Sequence, residues 1–433
     1  MKFGLFYEHQ VPRPWDVEAE RRVLLEALEQ VELADRLGIE HVWEVEHHFL
    51  EEYSHSSAPE VFLAAASQRT TRIRLGHGIT LTPPPYNHPA RVAERIATLD
   101  LLSGGRVEWG TGESATALEM LGFGIDPTAK EAMWEEGAEQ AANMLAMTPY
   151  PGFKGRYFEM PCRNLVPKSY QRPHPPMWVA CSRRETIHRA ARLGLGALAF
   201  AFVEPEQAAT WVREYYDILT SDQCRPLGHT VNPNVAVVSG FSLHRDSEEA
   251  IRRGLDGFRF FGYSLGHVAI FGQHRPGRTD VWQHFLEAKD HIPDNAGRGG
   301  IGNPAQVREH LERYERAGID QVIFVQQCGR NQHEHICESL QLFARELHPE
   351  FKRRDEIRTR QKREELAPCI EAALQRKRRL APAAEAEIPT VEAFGRAREG
   401  SPQADPTRGG AIPVVTHDPR EARKTGAADT SAL

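Results

Sequence analysis

The sequence predicts an α/β fold, a (β/α)8 TIM barrel enlarged by insertions. Two observations carry that prediction. Short β-rich runs alternate with helix-period patterns eight times across residues 1–348. In addition, no glycine-rich GxGxxG fingerprint follows the first run, which weakens the rival doubly wound open sheet.

The elements follow in order. Residues 3–8 form a candidate first strand, and Val23, Ala27, Val31 and Ala34 then mark one apolar helix face over 18–37. Residues 41–45 are the second strand, 58–68 a helix and 72–81 the third strand. Helix 88–102 carries Pro89 in its first turn, where a missing N–H costs nothing. "SGGRVEWGTG" turns into strand four, and a helix follows over about 128–147. The Pro-, Gly- and aromatic-rich stretch 149–176 reads as an insertion of irregular or hairpin structure. Strands five to eight fall at 175–181, 196–202, 234–243 and 321–327. Their helices fall at 186–193, 205–219, 247–260, 304–317 and 333–347. A polar stretch at 262–300 interrupts the last repeat. Beyond the barrel, 349–380 is charged and helix-permissive, and 381–433 lacks apolar periodicity and reads as largely disordered.

Composition narrows the function classes. With 40% hydrophobic and 26% charged residues and a net charge of -7, nothing favours nucleic acid or an acidic membrane as partner. No apolar run approaches the ~18 residues of a membrane span, and the N-terminus lacks a signal-peptide pattern. Six scattered cysteines without CxxC pairs read as reduced thiols, and a cytoplasmic location is expected.

In such a barrel chemistry collects where strands end. Strand one ends in Glu8-His9-Gln10, strand two in Glu46-His47-His48, strand three in Gly78-Ile79-Thr80 and strand four in Thr111-Gly112-Glu113-Ser114. Strand five ends in Cys181-Ser182-Arg183-Arg184, and strand eight in Gln326-Gln327-Cys328-Gly329-Arg330. "SRRE" fits a capping box with Ser182 as N-cap, and Arg183 and Arg184 would favour an anion at that helix start. A well-capped helix with two solvated arginines explains the same residues, and "CGRN" at 328–331 is a competing cradle. Gly78 and Gly112 would allow a planar ligand close to the backbone, although a turn accounts for them equally well. Adjacent His47 and His48 on extended chain point to opposite faces, which counts against one metal ion. A single imidazole held by a carboxylate would serve as proton donor or acceptor.

Several separated stretches, "MKFGLFYEHQ", "ADRLGIEHVWEVEHHF", "HPARVAERIATLDLLSGGRVEWGTG", "RPHPPMWVACSRRETIHRAARLG" and "GNPAQVREHLERYERAGIDQVIF", occur in an order that resembles the bacterial luciferase-like, flavin-dependent monooxygenases. The resemblance implies a barrel over 1–348 and reduced FMN as cosubstrate. Through it, O2 would be activated as a flavin C4a-hydroperoxide to oxygenate a small organic substrate. It also implies a separate NAD(P)H:flavin reductase and a homodimer. Carried over, His47 is the proton-handling catalytic residue, with Glu46 and His48 in support. Gly78 and Ile79 match a non-prolyl cis peptide under the flavin ring. Thr111 and Gly112 line the same site, and Cys181, Ser182, Arg183, Arg184 and Thr186 match the phosphate segment. The stretch 271–281 matches a mobile lid. Where luciferases have cysteine then arginine after strand four, this chain has Gly112-Glu113, so Arg183 or Arg184 would have to compensate. Three alternatives stay open: a deazaflavin-dependent oxidoreductase, whose motif more often reads Asp-His-Phe, a metal-dependent barrel hydrolase, and a non-catalytic flavin-binding protein.

Overall fold

A computed structural model describes residues 1–200, 202–292 and 298–392. Eight parallel strands close into a barrel: β1 (Lys2–Tyr7), β2 (His41–Glu44), β3 (Arg74–Leu81), β4 (Val107–Gly112), β5 (Met177–Cys181), β6 (Gly196–Ala199), β7 (Val235–Ser239) and β8 (Gln321–Val325). Closure comes from β1 pairing with β8 on one side (Lys2 opposite Gln321) and β2 on the other (Gly4 opposite His41). The expected (β/α)8 architecture is therefore the observed one.

Alternation along each strand sorts side chains into two cores. On β1, Phe3, Leu5 and Tyr7 face the helices, while Phe6 joins Trp43, Val45, Trp178, Leu198, Val238, Ile323 and Val325 inside the barrel. Trp43 and Trp178 meet edge to face at 5.3 Å. Gly76 and Gly196 leave the space that their indole rings fill, which is the large-against-small matching that closes a barrel interior.

The insertions are more ordered than periodicity suggests. Tyr150–Lys154 and Glu159–Arg163 form an antiparallel hairpin. The predicted seventh strand ends at Ser239, and Ser242–Leu243 pairs instead with Ile301–Gly302. The helix predicted over 247–260 runs to Gly266 and widens into a π turn over His267–Phe271. A further helix, Val281–Ala288, lies within the stretch read as polar and irregular. Residues 293–297 of that stretch lie outside the described residues.

Helix His348–Arg376 closes the end of the barrel opposite the strand C-termini. Phe351 packs on Phe3 at 5.5 Å between ring centroids. Asp355 pairs with the N-terminal amine at 3.1 Å, and Lys362 reaches buried Asp320 at 2.7 Å. This first compact unit is Met1–Ala384, and a second begins at Glu385, where Glu385–Glu387 makes a 3-10 turn. Residues 393–433, most of the segment read as a disordered tail, lie outside the described residues.

Candidate active site

The alternation that fills the barrel also aims the site. Trp43 and Val45 point inward, and His47 follows in the same phase, while Glu46 and His48 fall in the other. Glu46 accepts from the Leu81 N–H and from Asn87 Nδ2, each at 2.8 Å, and lies 3.2 Å from His48 Nε2. Glu46 thus ties the end of β2 to the end of β3, with His48 at its side.

His47 stands between two carboxyl groups. Its Nδ1 is 2.8 Å from Glu119 Oε1, and its Nε2 is 3.8 Å from Glu8 Oε1. Glu119 is fully buried and saturated with donors. Its Oε1 accepts the His48 N–H at 3.0 Å, and its Oε2 accepts the Ser114 and Thr116 hydroxyls at 2.7 and 2.8 Å. Burial opposes its charge, but His47 and these donors outweigh that and hold its carboxyl down at about 2. Burial likewise opposes a charged His47. The Glu119 and then Glu8 carboxyls overcome it and raise the imidazole to about 9, roughly 3 kcal/mol in favour of the imidazolium. Both carboxyl groups thus favour the imidazolium form of His47.

Sequence pattern alone does not place Glu119 at the site, although a signal for it is present. Thr116-Ala117-Leu118-Glu119 is a T-x-x-E box, and Thr116 caps the short helix Ala117–Gly122 that carries Glu119. Glu8, inward-facing like Phe6, was seen only as a strand end. A second buried pair lies alongside: His9 Nε2 is 2.7 Å from Glu44 Oε1, which also accepts from Ser56. His9 has φ of 54°, and its Nδ1 meets Gln327 at 3.1 Å. A cavity of about 540 Å³ opens between the loops after β1 and β8, lined by Gln10, Gln327, Arg330 and His333 among others. Its lining includes neither His47 nor Glu119.

The remaining expected residues divide. Every cis peptide among the described residues precedes proline, so the Gly78–Ile79 bond is not cis. The irregularity there is instead a register shift between β3 and β4, from His77 to Thr80. At that shift Gly110 lets the β4 backbone approach the Gly78 carbonyl where a Cβ would collide. Ile79 packs against the inner cluster and over Gly112. The Thr111 hydroxyl is committed to the barrel wall, donating to the Trp178 carbonyl and accepting from Trp134 Nε1, both at 3.0 Å.

Ser182 is not the N-cap. The helix is Arg184–Arg192 with Arg183 as its cap, and the Thr186 hydroxyl accepts the Arg183 N–H at 3.2 Å. Arg184 turns away to pair with Glu214. Ser182 and Arg183 stay exposed at the helix start, while Cys181 is buried and its thiol is pushed up to about 12 by that burial. Arg189, which the sequence did not single out, lies over Trp134 and 3.5 Å from Glu113, whose other neighbour is Lys130 at 3.6 Å.

Above the site, the loop after β2 fastens the 271–281 segment. Glu51 Oε1 accepts from His274 at 3.1 Å and from the Gly277 N–H at 2.6 Å. Glu52 is fully buried and accepts the N–H groups of Val281 and Trp282, at 2.6 and 3.0 Å, and that of Arg13 at 2.8 Å. Phe200, Phe202, Leu265 and Val268 complete an apolar lining over the barrel mouth.

The luciferase-like monooxygenase family model matches residues 1–321, and this chain belongs to that family. It is 33% identical over 323 residues to the Sinorhizobium fredii protein y4wF, spanning 71% of this chain and 86% of that one. The oxygenase component of a flavin-dependent trigonelline monooxygenase from Acinetobacter baylyi is 29% identical, over 81% of this chain and 96% of its own. The crystal structure of monooxygenase RslO1 from Streptomyces bottropensis superposes with a TM-score of 0.66 at 26% identity, covering 81% of this chain and all of the other. Proteins that depend on the deazaflavin F420 are also among the matches.

Proposed function

We propose that this chain is the oxygenase of a two-component flavin-dependent monooxygenase, using reduced FMN and O2 to oxygenate a small organic substrate. The observation that carries the reading is the Glu119–His47–Glu8 constellation, a half-buried imidazolium held by two buried carboxyl groups. A reduced flavin held there would supply the electrons that O2 needs. The residues fit such a group: the buried Glu8 Oε2 lacks a partner, and Ser182 and Arg183 are exposed at a helix start suited to a phosphate.

His47 presents its Nε2 proton to the site while Glu119 fixes the ring through Nδ1. Glu46 holds the β2 and β3 ends in register, and the segment fastened by Glu51 and Glu52 excludes water. A separate NAD(P)H:flavin reductase belongs to this reading. So does a homodimer, which exposed Val61, Leu101 and Leu102 on helices Pro59–Arg69 and Pro89–Leu102 would support. The F420-dependent relatives favour one second reading, a deazaflavin oxidoreductase that leaves O2 unused.

Anaerobic titration separates the two. Tight binding of reduced FMN with weak binding of reduced F420, followed by O2 uptake, is the expected outcome. The reverse preference without O2 uptake would move the chain to the second reading.

A further inference from the structure

Glu8 is among the most buried carboxyl groups of the described residues, with 2% of its surface exposed. Its Oε1 accepts the Tyr53 hydroxyl at 2.9 Å and faces His47 Nε2 at 3.8 Å. Its backbone is pinned by the Ser54 hydroxyl, which donates to the Glu8 carbonyl at 3.0 Å. Oε2 is buried without a hydrogen-bond partner, an expensive state for an ionised oxygen. The nearest cation, His47, is already engaged by Glu119. The other titratable groups that face Glu8 are Tyr53, Glu119, Cys328 and His9. Of these, Glu119 adds like charge and Tyr53 donates to Oε1, while Cys328 sits in the apolar cluster at the end of β8. Burial first, with Glu119 adding to it, raises the Glu8 carboxyl above its ordinary value despite His47, Ser54 and Tyr53.

Resting on the monooxygenase reading, we propose that Glu8 is the second proton carrier of the site. In its neutral form, which the unpartnered Oε2 favours and which leaves Glu119 as the counter-charge to His47, it passes a proton from His47 to an anionic oxygen of the bound reactant. The Nε2–H bond of the His47 imidazolium breaks as an O–H bond forms at Glu8 Oε1. The O–H bond at Oε2 breaks as one forms on the reactant oxygen. His47 ends neutral, Glu8 is unchanged, and the negative charge on the reactant is cancelled. The gap from Nε2 to Oε1 exceeds a hydrogen bond by about 1 Å, which a small side-chain rotation closes. Glu119 cannot take this part, because both its oxygens are saturated and it lies on the Nδ1 side of the ring.

The test is infrared spectroscopy of the flavin-free, full-length protein near neutral pH, compared with Glu8→Gln, Tyr53→Phe and Glu119→Gln. A protonated-carboxyl C=O band is expected in the wild type and in Glu119→Gln. It should vanish in Glu8→Gln and shift in Tyr53→Phe, which loses the hydroxyl on Oε1 and serves if Glu8→Gln folds poorly. In turnover with saturating reduced FMN, Glu8→Gln should slow the proton-dependent step by about 10²-fold, with its pH profile flattened. Absence of the band from the wild type, or an unchanged rate and pH profile in Glu8→Gln, would overturn the relay. Failure of the monooxygenase reading would look different, as a wild-type protein that does not bind reduced FMN at all.

Discussion

His47 gains its chemistry from one residue in particular. With Glu119 ionised against Nδ1, the folded-state imidazole titrates near 9 against an ordinary 6.5. Its contribution to stability is therefore complete below pH 6.5 and fades as pH rises through about 9. Glu119 behaves oppositely, stabilising above 4.5 and losing its contribution as pH falls through about 2. Glu119→Gln should return the His47 pKa towards or below its ordinary value, since burial remains while the charge is gone. It should also cost about 3–5 kcal/mol at neutral pH by breaking a buried pair. Imidazole NMR titration and denaturant unfolding on either side of the alkaline limb check both. An unchanged His47 titration would remove Glu119 from its assigned role.

Elements explain why part of this site was legible beforehand. Strand alternation already argued that His47 and His48 face opposite ways, and the structure follows that phase, with His47 inward and His48 beside Glu46. Glu119 was harder to find because it sits on a six-residue helix, too short to show periodicity, although its T-x-x-E box was there to be read. Arg184 and Ser182 misled for a different reason: the cap moved one residue on, which turned Arg184 outward to Glu214. A local motif gives the start of a helix only to within a residue or two. The 271–281 segment is shaped by Glu51 and Glu52, more than 200 positions away in the chain, and no local pattern carries such contacts. Glu52→Gln should loosen it, leaving backbone donors of helix Val281–Ala288 poorly satisfied at a local cost of about 1–3 kcal/mol. Faster amide exchange over 272–284 with unchanged exchange in the barrel strands is the expected pattern. Uniform exchange across both would show that Glu52 does not latch that segment.

For the molecule as a whole, the barrel was the most legible feature, because eight repeats of strand and helix leave few alternatives. Helix His348–Arg376 is legible as a charged, helix-permissive run, but its role is not, since that depends on what it covers. It brings Phe351, Asp355, Arg358 and Lys362 against Phe3, the N-terminal amine and Asp320. Deleting 349–433 should lower the melting temperature by several degrees, as lost pairing of buried Asp320 alone is worth a few kcal/mol. Equal melting of the truncated and full-length chains would make the helix an ornament of the barrel.

In the proposed function, the half-buried imidazolium at position 47 manages protons for flavin and oxygen. Stopped-flow mixing of O2 with protein loaded anaerobically with reduced FMN tests it most directly. In the wild type the oxidised-flavin spectrum should return later than it does for free FMN. In His47→Gln the proton-dependent phase should change by about 10²-fold while reduced FMN still binds. Reoxidation at the free-flavin rate in the wild type, or identical traces for His47→Gln, would contradict it.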